Sequence, residues 1–136
     1  MSVEIAARAG TLPQAFVEAA LGLFAVALDL AAVRAHEIRE VRAHGASQEA
    51  LLARWIEECH YVHEIEGFTC RSIDMAVFDT EARIGGEPMR LHAFLHGEEM
   101  DADRHGTATA IRAVSFDEAP IRSVPGGYEI RLTVEI

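Results

Sequence analysis

Acids, an arginine and a histidine crowd into one short stretch of this chain. Glu98, Glu99, Asp101, Asp103, Arg104 and His105 fall within eight residues of the run His96–Phe116. Oxygen ligands at alternate positions suit a hard cation, although the stretch lacks the length and the distal glutamate of an EF-hand. Asp101, Asp103 and His105 also hold the groups a small hydrolase would use for general acid–base work. The same composition describes a solvated connection, and the residue types alone do not separate the readings. Loops on a rigid scaffold carry chemistry more often than packing, which makes the stretch a site candidate.

Other constellations are thinner. His60 and His63 lie one helical turn apart beside Glu64, a spacing zinc can use, but no histidine-glutamate zincin motif is present. The competing expectation is a half-exposed helix end. His92 and His96 share one face of a strand and would need a third ligand from elsewhere. Glu135 stands next to a terminal carboxylate on Ile136, a pairing suited to a cation and equally to a plain exposed strand. No glycine-rich phosphate loop occurs, and none of Ser2, Ser47, Ser72, Ser115 and Ser123 sits in a G-x-S-x-G setting. All twelve basic residues are arginine. Schiff-base, lysyl-nucleotide and P-loop chemistry therefore have no side chain to run on.

The elements that would position these groups are legible from periodicity. Residues 2–8 alternate as a short strand closed by Gly10. Thr11 and Gln14 have capping-box spacing, Pro13 suits a first helical turn, and Leu12, Phe16, Ala19, Ala20, Leu23, Phe24 and Ala27 recur at three and four. His36–His44 reads as a strand. Ser47 caps a second helix whose stripe is Leu51, Leu52, Trp55, Ile56, Cys59 and Val62, stopped at Gly67. Strands are expected at Phe68–Phe78, Met89–His96, Ala108–Phe116, Ile121–Val124 and Tyr128–Ile136, with turns at Gly85-Gly86 and Pro125-Gly126-Gly127. In the last strand Tyr128, Ile130, Leu132, Val134 and Ile136 face one way, and Glu129, Arg131, Thr133 and Glu135 face the other. The order predicts a single α+β domain over residues 1–136, two amphipathic helices on a mixed or antiparallel sheet.

The chain has 136 residues, half of them hydrophobic, and a formal net charge of −10. That charge disfavours direct nucleic-acid binding, because phosphates are repelled over most of the surface. A basic protein partner or a metal ion is easier to accommodate. Cys59 and Cys70 form no CxxC and read as core thiols. The apolar run Ala19–Val33 is broken by Gly22 and Asp29 and is too short to span a bilayer. With no charged leader ahead of it, a cytoplasmic location is expected.

Gly97-Glu98, Asp101, Arg104-His105 and then Ile111-Arg112-Ala113-Val114-Ser115-Phe116 resemble the signature of the archease family: a glycine-glutamate, an aspartate, a basic residue and a histidine, then a V-K-A-[IV]-T-[YF] strand. Gly10–Phe24 is similar to the family's first helix. Leu51–Ile56 followed by Glu66-Gly67 is similar to its tryptophan-bearing second helix, and an acid stands second from last on an apolar strand. The resemblance implies an accessory factor that promotes guanylylation and multiple turnover of an RtcB-type RNA ligase in tRNA splicing and RNA repair, without being a ligase itself. It implies that the ligase-activating residues are Glu135, Arg112, Asp101 and His105. It also implies a divalent cation, calcium, held by Glu135, Ile136 and the residue at position 2. The family's aspartate there is Ser2 in this chain, and Arg112 replaces a lysine. The Ser2 departure implies a weakened or absent cation site, and keeps open an alternative: a chaperone-like or adaptor module of the same fold with a degenerate metal site.

Overall fold

The computed structural model describes residues 1–81 and 88–136, so the Gly85-Gly86 turn lies outside the described residues. In chain order the elements are β1 (Ser2–Ala9), α1 (Leu12–Ala27), a 3-10 turn (Leu30–Ala32), β2 (Glu37–Gly45), α2 (Gln48–Glu64), β3 (Phe68–Asp79), β4 (Met89–Glu99), a single turn α3 (Ala102–His105), β5 (Ala113–Val124) and β6 (Gly127–Glu135). The α+β expectation holds. The strands divide between two antiparallel sheets of three, ordered β1-β6-β5 and β2-β4-β3, rather than forming one sheet.

Local chemistry sets the element ends. Thr11 Oγ1 accepts from Gln14 N at 3.3 Å and Ser47 Oγ from Ala50 N at 3.1 Å, so each long helix starts on a side-chain cap. Both helices bury the stripe their periodicity predicts: Phe16, Ala19, Ala20, Leu23 and Phe24 on α1, and Leu51, Leu52, Trp55, Ile56 and Cys59 on α2. They meet β-sheet residues Ala7, Ile130, Leu132 and Val134 on one side and Val41, Ala43, Leu91, Ala93 and Leu95 on the other. The Trp55 indole is fully buried, and its Nε1–H donates to Phe16 O at 2.9 Å, tying α2 to α1. Among the described residues no helix is long and apolar enough to cross a membrane.

The strands flanking the charged stretch differ from the sequence reading. The expected strand Met89–His96 runs on through Gly97 and Glu98 to Glu99, because these residues pair with Phe68–Cys70 of β3. The expected strand Ala108–Phe116 begins only at Ala113. Before it, Thr109 N donates to Ala27 O, Ile111 O takes the His60 ring, and Ile111 is buried. These backbone groups are satisfied by helices, so no ladder forms there. The expected strands Ala108–Phe116 and Ile121–Val124 are one strand, β5, interrupted by a register break between Phe116 and Ile121. Asp117, Glu118 and Ala119 are exposed at the break, while Pro120 is buried.

Candidate partner-facing site

The two ends of the chain meet at one corner. Met1 O accepts from Ile136 N at 2.8 Å, and the strand register sets Ser2 opposite Glu135, with Ala113 opposite Glu135 on the other side. Ser2 Oγ donates to Glu135 Oε1 at 2.6 Å. Arg112 N donates to the backbone carbonyl of Glu135 at 2.7 Å, which fixes where the exposed Arg112 side chain leaves the backbone. Ser2, Glu135, Ile136 and Arg112 are thus brought together by the first, last and fifth strands. Among the described residues no ion pair joins Arg112 to Glu135, so both charges remain available to a third party.

The corner does not make a good cage for a divalent ion. A hard cation takes six or more oxygens with several carboxylates among them. Here the Ser2 hydroxyl points its proton at Glu135 Oε1, and the Met1 and Ile136 carbonyls already accept each other's N–H. Among the described residues no three His, Cys, Asp or Glu side chains converge as metal ligands.

Asp101 and His105 are placed elsewhere, in the structure that surrounds Glu98. Glu98 is 2% exposed although it extends the water-facing parity of β4. The Arg104 guanidinium clasps it with Nη1 to Oε1 at 2.5 Å and Nη2 to Oε2 at 2.7 Å. Arg34 N donates to Oε2 at 2.5 Å and the His105 ring lies at 3.2 Å, with His36 Nε2 at 3.5 Å from Oε1. The Arg104 hydrogen bonds hold the Glu98 carboxyl far below the usual carboxylate range against the opposing effect of desolvation, with Arg34 N–H and His105 adding to the lowering. His105 Nδ1 accepts from Asp101 N at 2.9 Å, which leaves the ring proton on Nε2 to donate to Glu98. Asp101 Oδ1 caps α3 by accepting from Asp103 N at 3.0 Å.

This geometry removes the hydrolase reading. Both His105 ring nitrogens are engaged, its side chain is 1% exposed, and Asp101 is spent on a cap. The stretch is a clasp, built on one buried acid, that pins the chain between β4 and β5. Among the described residues no hydrogen bond or ion pair links Asp101 or His105 to Glu135 or Arg112. The clasp depends on Gly97, where a Cβ would lie 1.9 Å from Thr69 O on β3.

The histidine pairs also part company. His63 is buried, not half-exposed, with Nδ1 at 3.2 Å from Phe68 O, and desolvation lowers its pKa. His60 turns instead to Ile111 O. His92 Nε2 lies 2.8 Å from Glu40 Oε1 across the ladder, so it is paired with an acid rather than with His96. Alternation along the last strand groups Glu129 with Arg131, Thr133 and Glu135, yet Glu129 is 2% exposed. Arg8 Nε and Arg131 Nε cover it at 2.5 Å and 2.6 Å. Glu98 and Glu129 share one logic: an acid of outward parity buried under arginine. Strand alternation gives no sign of that, because it does not say which side chains fold over a strand face: Arg131 comes from β6 itself, Arg104 from the turn just after β4, and Arg8 and Arg34 from segments distant in sequence.

Comparison with known proteins bears on this arrangement. The profile of the Archease protein family (MTH1598/TM1083) matches residues 3–136. "Protein archease" of Pyrococcus abyssi is 30% identical over 117 residues, 86% of this chain and 79% of that protein. "Protein archease" of Saccharolobus islandicus is 31% identical over 134 residues, 98% of this chain and 91% of that protein. The solution structure of Methanobacterium thermoautotrophicum protein 1598 superimposes with a TM-score of 0.71 at 21% identity, covering 99% of this chain and 91% of the other, and shows the shared fold.

Proposed function

The chain belongs to the archease family, and from that membership we propose that it is a non-catalytic accessory factor of an RtcB-type RNA ligase. It promotes guanylylation of the ligase and repeated turnover in tRNA splicing and RNA repair. The observation that carries this reading is the corner where Ser2, Glu135 and Arg112 converge. One carboxylate oxygen of Glu135 is oriented by Ser2; the other and the Arg112 guanidinium are open to groups of the ligase. The Ser2 hydroxyl presets the Glu135 carboxylate, and the Arg112 backbone is tied beside it, so a partner meets an oriented acceptor with a base leaving the chain next to it. The net charge of −10 favours encounter with a basic, RNA-binding surface. Direct RNA binding is not part of the role.

The test is multiple-turnover joining of RNA ends by the partner ligase with and without this protein. Stimulation by the native chain, reduced at least about tenfold by Glu135→Ala, is expected; tenfold corresponds to losing about 1.4 kcal/mol. No stimulation contradicts the proposal. The adaptor reading draws on the single-carboxylate corner. It is favoured if the protein binds the ligase with no effect on turnover and Glu135→Ala changes nothing.

A further inference from the structure

β1 is an edge strand: among the described residues it pairs only with β6. Met1 and Ile136 exchange both backbone hydrogen bonds, Ile136 N to Met1 O at 2.8 Å and Met1 N to Ile136 O at 3.3 Å. The ladder then runs without a break from Ser2 to Ala9. Hydrogen-bonded pairs alternate along an antiparallel ladder, so the odd residues Val3, Ile5, Ala7 and Ala9 direct their N–H and C=O groups to β6. The even residues Ser2, Glu4, Ala6 and Arg8 direct theirs to the open edge. Their side chains all lie on the outer face and are exposed.

We propose that this edge pairs with the β1 edge of a second copy, two-fold about Ala6, to make a six-stranded sheet across a dimer. Charge selects the register. Even residues form the hydrogen-bonded pairs across the open edge, whether the two-fold passes through an even or an odd residue. Centring on Glu4 or Arg8 sets like charges against each other, and centring on Ile5 or Ala7 sets Glu4 or Arg8 against Ala6. Centring on Ala6 sets each Glu4 opposite Arg8 of the other copy, giving two cross-strand ion pairs. Arg8 can make the second contact because it meets Glu129 through Nε alone, leaving both terminal amino groups for the incoming carboxylate.

A groove between β1 and α1 runs beside the same edge, lined by Ile5, Ala7, Leu21, Gly22, Ala25 and Leu30 together with the charged Arg8 and Glu18. Two-fold pairing through β1 brings the groove against its own counterpart, as an isologous contact requires. Exposed edges of this kind are ordinarily blunted by short length, proline or a bulge. β1 has eight residues, no proline and no register break. This inference is independent of the ligase reading, and it leaves the two Ser2–Glu135 corners at opposite ends of the paired strands.

Sedimentation velocity on the full chain over a range of concentrations tests it, read against the 14.9 kDa chain mass. The native protein is expected to sediment as a dimer, with association weakened severalfold by added salt. Glu4→Arg sets like charges opposite each other and is expected to abolish the dimer. Ala6→Pro removes an N–H from the open edge without touching the β6 ladder and is expected to do the same. Unchanged far-UV circular dichroism in either variant shows that the fold is retained. A native chain that stays monomeric up to millimolar concentration overturns the proposal. So does a dimer that survives both substitutions.

Discussion

Glu98 shows how one acid can organise a segment that looks like a loop of loose charges. It accepts from Arg104, Arg34 and His105 together, so removing its charge removes the common partner of α3 and of the segment ahead of β2. The pH dependence follows from the sign of its shift. The folded-state carboxyl is held below its ordinary value, so the unfolded chain takes up the proton first as pH falls. Its contribution to stability is complete above the ordinary carboxylate range, drains away as pH drops through it, and is gone only below the folded value. Glu98→Gln is therefore expected to flatten the fall in melting temperature between about pH 5 and about pH 2, leaving the smaller slope from Glu129. An unchanged slope contradicts this placement of the charge. Ser2 offers the complementary experiment. With the native chain, calcium is expected to leave the melting temperature unmoved. Ser2→Asp sets a second carboxylate opposite Glu135, and calcium is expected to stabilise that variant by about 1–3 kcal/mol, read by thermal melts with and without chelator. An equal calcium response from the native chain would show that the corner is already a competent site.

The helices and their caps were legible because each carries a local signal that tertiary structure reinforces: Thr11 and Ser47 at the caps, and stripes at three and four. Strand β4 was legible for the same reason, since Leu91, Ala93 and Leu95 alternate cleanly. β5 was not. Its start is delayed because residues 109 and 111 spend their backbone groups on helices, and its middle is broken at Asp117–Ala119. Those causes lie in segments far away in sequence, where no window of alternation can reach. The burial of His63 has a similar origin, because its carbonyl partner belongs to Phe68, beyond the helix end. The Trp55–Phe16 hydrogen bond is the one polar tie between the two long helices among the described residues. Trp55→Phe removes the indole donor while the Phe16 carbonyl keeps its helical partner within α1, and is expected to cost about 0.5–1.5 kcal/mol in chemical denaturation, before any loss from the smaller ring. A cost near zero would mean that the indole acts by volume alone.

The whole molecule separates a structural centre from a presented corner. The glycine-glutamate, aspartate and arginine-histidine of the signature fold inward as the Glu98 clasp, whereas Glu135 and Arg112, far apart in sequence, come together on the surface. That division explains why the candidate site was half readable: the motif announced the family, but of its charged residues Glu98, Arg104 and His105 form scaffold while Arg112 lies at the surface, and its meeting with Glu135 depended on β1, β5 and β6. Under the proposed role, Asp101 and His105 serve the segment they hold in place, whereas Glu135 and Arg112 are the residues assigned to meet the ligase. Retention of label from radioactive GTP on the partner ligase, followed over time with native protein, with Glu135→Ala and with no addition, separates these roles most directly. Faster guanylylation with the native chain and none of that acceleration with Glu135→Ala is the expected result; identical time courses in all three would contradict the assignment of the Glu135 corner as the ligase-facing site.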